Sequence, residues 1–456
     1  MQKIKKSAFQ LSSNSIRVAE IVLNLILIVN YYDYFLVFKY FFGSQALLSP
    51  LQSLDLFEVL RFVPASFLGS EPLWSTTALV WLGILLSIFN IVKSKSSKYL
   101  YILHFLIMSL FFERYPHVFG PADLALRLTT IWMFFLVQVR PSQFTNTLDK
   151  KIINVFWFVQ IIIIYILSTF EKLKFPEWST SLDAIGKLSE IERHVSFMFV
   201  RLIQSLPDFV IQLTTFGVLF LEGVLILFLL SRKEKIRNIL ILLFIIFHLC
   251  IMALMKVHII SYVAIMWWIV FIPDKFWNIV PENLKSLLFK NNIDPYKQSK
   301  FSITYPLYFL VVLVSFSVVA NFIPEKLKYL KPAVLANRLH IGQRWTMFSN
   351  SEMLARDQYI KISVMLNNSE AIDLLTKDKF NISVDSFKEH NLKAMFVINF
   401  YKYFVLNKSK SADIYLKFLF QNAQRINPNV KFLEVFIVEN KNDILYFKSI
   451  SKISNL

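Results

Sequence analysis

Three ionisable side chains stand inside or at the end of long apolar runs, and their types suit proton transfer. Lys172 follows the run 152–170, Glu222 lies within 209–230 and His248 within 239–255. An amine, a carboxylate and an imidazole are the usual acids and bases of enzymes, and each is costly in hydrocarbon unless it is partnered or used. Lys172 belongs to the stretch Glu171, Lys172, Leu173, Lys174, Phe175, Pro176, Glu177, Trp178. The run before it is long enough to cross a bilayer as one helix, so the lysine is expected where that helix leaves the hydrocarbon. There it either extends its ammonium to the headgroups as a snorkelling anchor or turns inward, loses solvation and becomes available as a base. Pro176 stops helical propagation, and Trp178 has the amphipathic ring typical of a membrane interface.

The elements that must position these groups follow from composition. The chain has 456 residues, 55% hydrophobic and 16% aromatic, with a mean hydropathy of +0.51. Such a chain is a multi-spanning membrane protein whose first partner is the lipid bilayer. Its formal charge of +18 is carried between apolar runs and in the C-terminal tail, without a nucleic-acid motif, so no nucleic-acid partner is expected. The single cysteine, Cys250, excludes a disulfide framework and a Cys-based zinc site within one chain. His104, His248 and His258 show no metal-ligand spacing; hydrogen-bonded buried histidines are the simpler reading, and no metal is expected. With eight glycines and no Gly-rich phosphate loop, ATP-driven chemistry is not expected either.

About nine spans are predicted by run length, at 16–42, 73–92, 100–112, 124–139, 152–170, 209–230, 239–255, 258–272 and 303–322. Asp33 interrupts the first; the lysines at 3, 5 and 6 before it mark a retained signal anchor. Residues 44–72 suit an interfacial segment. Asp123 and Arg127, one helical turn apart, suit an ion pair. Between Trp178 and Asp208, Ile185, Leu188, Ile191, Val195 and Phe199 recur near helical spacing, predicting a helix lying on the membrane beside Lys172. Basic loops alternate onto one side, which places the N-terminus in the cytoplasm and both the 171–208 region and the tail outside. Hydropathy then drops. The expected fold is a polytopic α-helical membrane protein, residues 1–324, with a C-terminal extracytoplasmic β-rich α+β domain at 325–456. In that domain strands are predicted at 359–364, 396–404, 430–438 and 445–447, with a helix at 412–425.

The order of features resembles the HTTM family, membrane proteins related to vitamin K-dependent γ-glutamyl carboxylase. Four places carry the likeness. Glu113, Arg114, Tyr115, Pro116 and His117 are followed by Gly120, Pro121, Ala122, Asp123, Leu124, Ala125, Leu126 and Arg127, similar to the family's Arg-x-Pro and Asp-x-x-Leu-Arg segment. Lys172 and Leu173, with Trp178 six residues after the lysine, resemble its Lys-Leu and Trp motif. Glu222 and His248 resemble its helix-embedded Glu and His. Gln343, Arg344, Trp345, Thr346, Met347 and Phe348 resemble its entry to the outer domain. At Glu171 the family's bacterial members usually carry a small residue, and here the acid is placed to pair with Lys172.

The resemblance implies an integral membrane enzyme, in a bacterial inner membrane, that carboxylates glutamate in a secreted peptide or protein. Its cofactor would be reduced vitamin K or menaquinol, with oxygen and carbon dioxide as co-substrates. Lys172 would be the base that deprotonates the quinol, with Glu222 and His248 as supporting catalytic groups and Trp178 at the cofactor. Two other readings stay open: a component for maturation or export of a secreted peptide toxin without carboxylase activity, and a transporter with Asp33, Glu222 and His248 along its pathway.

Overall fold

The computed structural model describes residues 11–41, 73–92, 98–114, 121–139, 147–189, 195–231, 233–255, 259–289, 357–367, 371–373, 420, 424, 428–441 and 444–454. Among the described residues four helical stretches are long and apolar enough to cross a membrane: Ser13–Phe35, Ile152–Leu173, Asp208–Leu230 and Glu234–Leu254. The chain is a helical membrane protein, with little sheet among the described residues.

The first half contains α1 (Ser13–Phe41), α2 (Leu73–Val92), α3 (Lys98–Arg114), α4 (Pro121–Val139) and α5 (Thr147–Leu173). Helix α2 has the predicted bounds, and α1 runs through Asp33, so that acid does not end the helix. Helix α5 extends beyond the predicted 170 to Leu173, which puts Lys172 in its last turn rather than after it. Pro176 then opens a separate short helix, α6 (Pro176–Ser179), as a proline at the first turn allows.

The amphipathic stretch is not the single helix expected. It divides into α7 (Ala184–Ser189) and α8 (Phe197–Gln204), with Ser196 capping α8 by accepting from the Phe199 amide. Between them Val195 bridges to Met255, and the Ser196 amide bonds the Leu254 carbonyl at 2.9 Å. The apolar positions are also used differently. Ile185, Leu188, Val195, Phe199 and Ile203 close over Trp178 and Leu219 as a second, smaller core. That burial ties the stretch to the helix bundle, whereas a surface helix would have left those side chains in lipid.

Helix α9 (Asp208–Gly223) passes directly into a 3-10 helix, Leu225–Leu230, and α10 (Glu234–Leu254) and α11 (Ile260–Ile269) follow. Helices α12 (Asp274–Trp277) and α13 (Glu282–Phe289) complete this part. The main core joins Trp132, Trp157, Tyr31, Tyr101, Phe244 and Trp268 across α1, α3, α4, α5, α10 and α11. Leu213, Phe216, Leu242, Ile246 and Leu249 stay exposed on α9 and α10, the pattern of faces turned to hydrocarbon.

In the tail, β1 (Asp357–Leu366), β2 (Ala371–Asp373), β3 (Val430–Lys441) and β4 (Ile444–Ser454) form an antiparallel sheet in the order β2-β1-β3-β4. Val364 faces Leu433 across β1 and β3, and both are buried. Three of the predicted strands thus have counterparts. The strand at 396–404, the span at 303–322, His258 and the stretch Gln343 to Phe348 lie outside the described residues.

Candidate functional site

Lys172 turns inward. Its side chain is 5% exposed, and Nζ lies 2.5 Å from Glu222 Oε2, an ion pair between the last turn of α5 and the last turn of α9. Ser168, one turn before the lysine, donates to the same carboxylate oxygen at 3.2 Å. The expected pairing with Glu171 does not occur: Glu171 accepts from Lys174 instead. Neighbouring residues on a helix point about 100° apart, whereas positions three apart share a face, so Glu171 reaches Lys174 and not Lys172.

The approach of α5 to α9 is set by two small groups. A Cβ on Gly223 would stand 2.9 Å from Thr169 Cγ2, closer than side-chain contacts allow, so the missing Cβ is what lets the helices meet here. Thr169 turns its hydroxyl back to the Tyr165 carbonyl at 3.0 Å, and its methyl is the atom nearest Gly223. Immediately after Gly223 the backbone tightens to 3-10 geometry over six residues, longer than such runs usually persist. Glu222 therefore sits at the junction of two helical geometries, beside the glycine that admits α5.

His248 belongs to the same cluster. Tyr165, two turns before Lys172, places its hydroxyl 2.5 Å from His248 Nε2, and Trp268 Nε1 donates to that hydroxyl at 2.9 Å. Phe244 stacks on Trp268 with ring centroids 4.4 Å apart and fixes the indole. The buried Nδ1 of His248 has no hydrogen-bond partner among the described residues.

Trp178 is buried, not spread at an interface, and Lys172 Nζ lies 5.1 Å from its ring centroid. The indole face is thus one wall of the lysine site, a cation–π contact that strengthens as water is excluded. Next to it Glu177 is buried, with Oε1 3.6 Å from Lys187, which also meets Asp183 at 3.3 Å.

The structure therefore gathers Lys172, Glu222, His248 and Trp178, drawn from α5, α9, α10 and α6, into one buried neighbourhood. Tyr165, Ser168, Thr169, Gly223 and Trp268 complete it and were not singled out from the sequence. Part of that set carried a signal: Tyr165, Ser168, Thr169 and Lys172 form a polar stripe at helical spacing through an otherwise apolar run. His104 is elsewhere, bonded to Tyr31 at 3.1 Å, and Asp123 accepts from Tyr34 at 2.6 Å. Asp33 is half-buried on α1. Among the described residues no group of three or more His, Cys, Asp or Glu is arranged to hold a metal ion.

Chemically the cluster offers an ammonium, a carboxylate that accepts its hydrogen bond across 2.5 Å, and an imidazole with one ring nitrogen uncommitted among the described residues. Comparison with family models, curated proteins and solved structures returned no match.

Proposed function

We propose that this chain is a membrane enzyme resembling vitamin K-dependent γ-glutamyl carboxylase, which uses a quinol and oxygen to carboxylate glutamate in a peptide or protein at the outer membrane face. In this reading the N-terminus is cytoplasmic and the tail extracytoplasmic. The observation that carries it is the inward turn of Lys172 onto Glu222. A snorkelling anchor would have its ammonium in the headgroups; this one is buried against a carboxylate and an indole.

The pair has a use in base chemistry. When the proton moves from the ammonium to Glu222, an amine and a neutral acid replace two separated charges, a change that an apolar interior favours. The amine is then free to take a proton from an acidic hydroxyl brought beside it. Ser168 holds the carboxylate in place, Trp178 walls the lysine from water, and the Tyr165–His248 pair supplies a polar flank. A reduced naphthoquinone of the vitamin K or menaquinol type supplies, with oxygen, the strong base that glutamate γ-deprotonation requires, and carbon dioxide adds afterwards. Such a molecule fits the residues present: it is lipid-soluble, its hydroxyls suit Lys172, and α9 presents exposed Phe216 and Phe220 on the bilayer side of the helix that carries Glu222.

The test is a membrane assay of purified protein, native against Lys172→Ala, with reduced naphthoquinone, oxygen, labelled carbon dioxide and a glutamate-containing peptide. Label fixation and quinone epoxide are followed together. Lysine-dependent signal in both is expected. Epoxide alone removes the peptide from the account, and silence in native and variant alike moves the assignment to peptide maturation without carboxylase activity.

A further inference from the structure

We infer that His248 presents an Nδ1–H donor to an oxygen atom of the bound quinone, and that Tyr165 and Trp268 are the positioning residues that keep the proton on that nitrogen. The inference rests on the quinol reading of the site for its ligand; its tautomer part stands on geometry alone.

Donor counting fixes the tautomer. The indole N–H of Trp268 can only donate, so at 2.9 Å the Tyr165 oxygen accepts from it. The phenolic hydrogen of Tyr165 then needs an acceptor, and His248 Nε2 stands 2.5 Å away. An acceptor nitrogen carries no hydrogen. In a neutral imidazole, the form expected of a ring buried in an apolar helix bundle, the remaining proton must be on Nδ1. The opposite tautomer would let the hydroxyl oxygen accept a second N–H, from Nε2, but would leave both the phenolic hydrogen and the bare Nδ1 without a partner among the described residues. Phe244, stacked on Trp268 and packed on Tyr165, locks the source of the chain.

That leaves Nδ1–H buried and without a partner among the described residues, a cost folding does not normally retain. The ring that carries the donor is bonded to Tyr165, two turns from Lys172 on the same helix. A ligand able to meet both must offer an oxygen acceptor to the imidazole while its other polar group faces the lysine. A quinone or quinol, with oxygens at opposite ends of one flat ring, has that form. A fixed N–H donor also discriminates strongly against ligands lacking the oxygen, because the donor is then left unpaired.

The experiment is nitrogen-15 magnetic resonance of full-length protein labelled at its seven histidines, in lipid nanodiscs. His248 is assigned by the signals lost in His248→Gln, and oxidised 2-methyl-1,4-naphthoquinone is the probe. Protonated and bare imidazole nitrogens resonate far apart, so the tautomer is read directly. The expected result is a proton on Nδ1 without probe, a shift of that signal on saturation, and mixed tautomers in Tyr165→Phe. Naphthoquinone affinity should fall about tenfold in His248→Gln, the loss of roughly one hydrogen bond. A proton on Nε2 in the native protein overturns the tautomer assignment, and that reading needs His248→Gln only to identify the signals. An Nδ1–H signal unmoved by saturating probe overturns the ligand assignment. If Lys172-dependent turnover is present while Nδ1 stays unmoved, the enzyme reading stands and this inference fails. A shifted Nδ1 without turnover supports the quinone contact and removes the carboxylation step instead.

Discussion

The Arg17–Glu20 pair and the Lys172–Glu222 pair are both buried in helices of the same bundle, yet they are built differently. Arg17 and Glu20 stand three residues apart on α1 at 2.9 Å. Their remaining groups go to protein: Arg17 bonds the carbonyls of Asn90 and Ile91 at the end of α2, and Glu20 accepts from Tyr101 of α3, which also receives a bond from Asn24. Among the described residues neither side chain keeps an unpartnered buried atom, and the Asn90 amide oxygen is the one this network leaves over. Lys172 and Glu222 lie fifty residues apart in sequence, on two helices held together at a glycine, and the imidazole beside them keeps a nitrogen without a partner among the described residues. The first network joins three helices and has little left to offer a ligand. The second is a long-range arrangement with capacity remaining, which is how a site differs from a brace.

That contrast can be broken by mutation. The largest effect belongs to Lys172→Ala, which should lower quinol-dependent turnover by about two to four orders of magnitude, the usual worth of a positioned base. It should also leave Glu222 buried without its cation, at a cost of about 3–5 kcal/mol in denaturant stability. Glu20→Gln is the counterpart in the brace. It should cost about 1–3 kcal/mol by weakening the bonds to Arg17 and Tyr101, while turnover per folded molecule stays at the native value. Equal loss of turnover in both variants would erase the distinction. Gly223→Ala is a smaller, purely geometric perturbation. Pushing Thr169 Cγ2 away should cost about 1–3 kcal/mol and lengthen the Lys172–Glu222 contact, and adding Thr169→Ser, which removes that methyl but keeps the hydroxyl, should restore both stability and turnover. A Gly223→Ala protein with native stability and turnover would show that the helices need no such close approach. Ser168→Ala should have the least effect: about 0.5–1.5 kcal/mol from the lost bond to Glu222, read as a small drop in the unfolding midpoint.

Much of this was legible in the chain because bilayer length and hydropathy limit what an apolar run can be. The run 73–92 is α2 with the same bounds, and Glu222 and His248 fall inside α9 and α10 as their surroundings required. The partner of Lys172 was harder to read. Adjacency pointed to Glu171, but sequence neighbours on a helix diverge, and the true partner is brought in by tertiary contact at Gly223 and Thr169. One-dimensional spacing holds no record of that approach. The stretch after Trp178 failed for a related reason: its apolar positions have helical spacing over the whole length, but Leu219 of α9 and Met255, just past the end of α10, supply a core that two shorter helices fill better. Tyr165 and Trp268 were hidden because aromatic residues in a membrane helix ordinarily read as packing, and only their bonds to each other and to His248 mark them out.

The most direct test of the central claim, that the buried pair exists for base chemistry, is the Lys172→Arg variant in the coupled epoxidation and label-fixation assay. Arginine keeps a cation against Glu222 but stays protonated, so it preserves a structural pair and cannot act as a base. The account predicts a folded protein, with an unfolding midpoint far nearer native than that of Lys172→Ala, in which epoxide and fixed label both fall to background while the native protein yields both. Turnover in Lys172→Arg matching the native protein would contradict it, and the pair would then be a second brace like the one on α1.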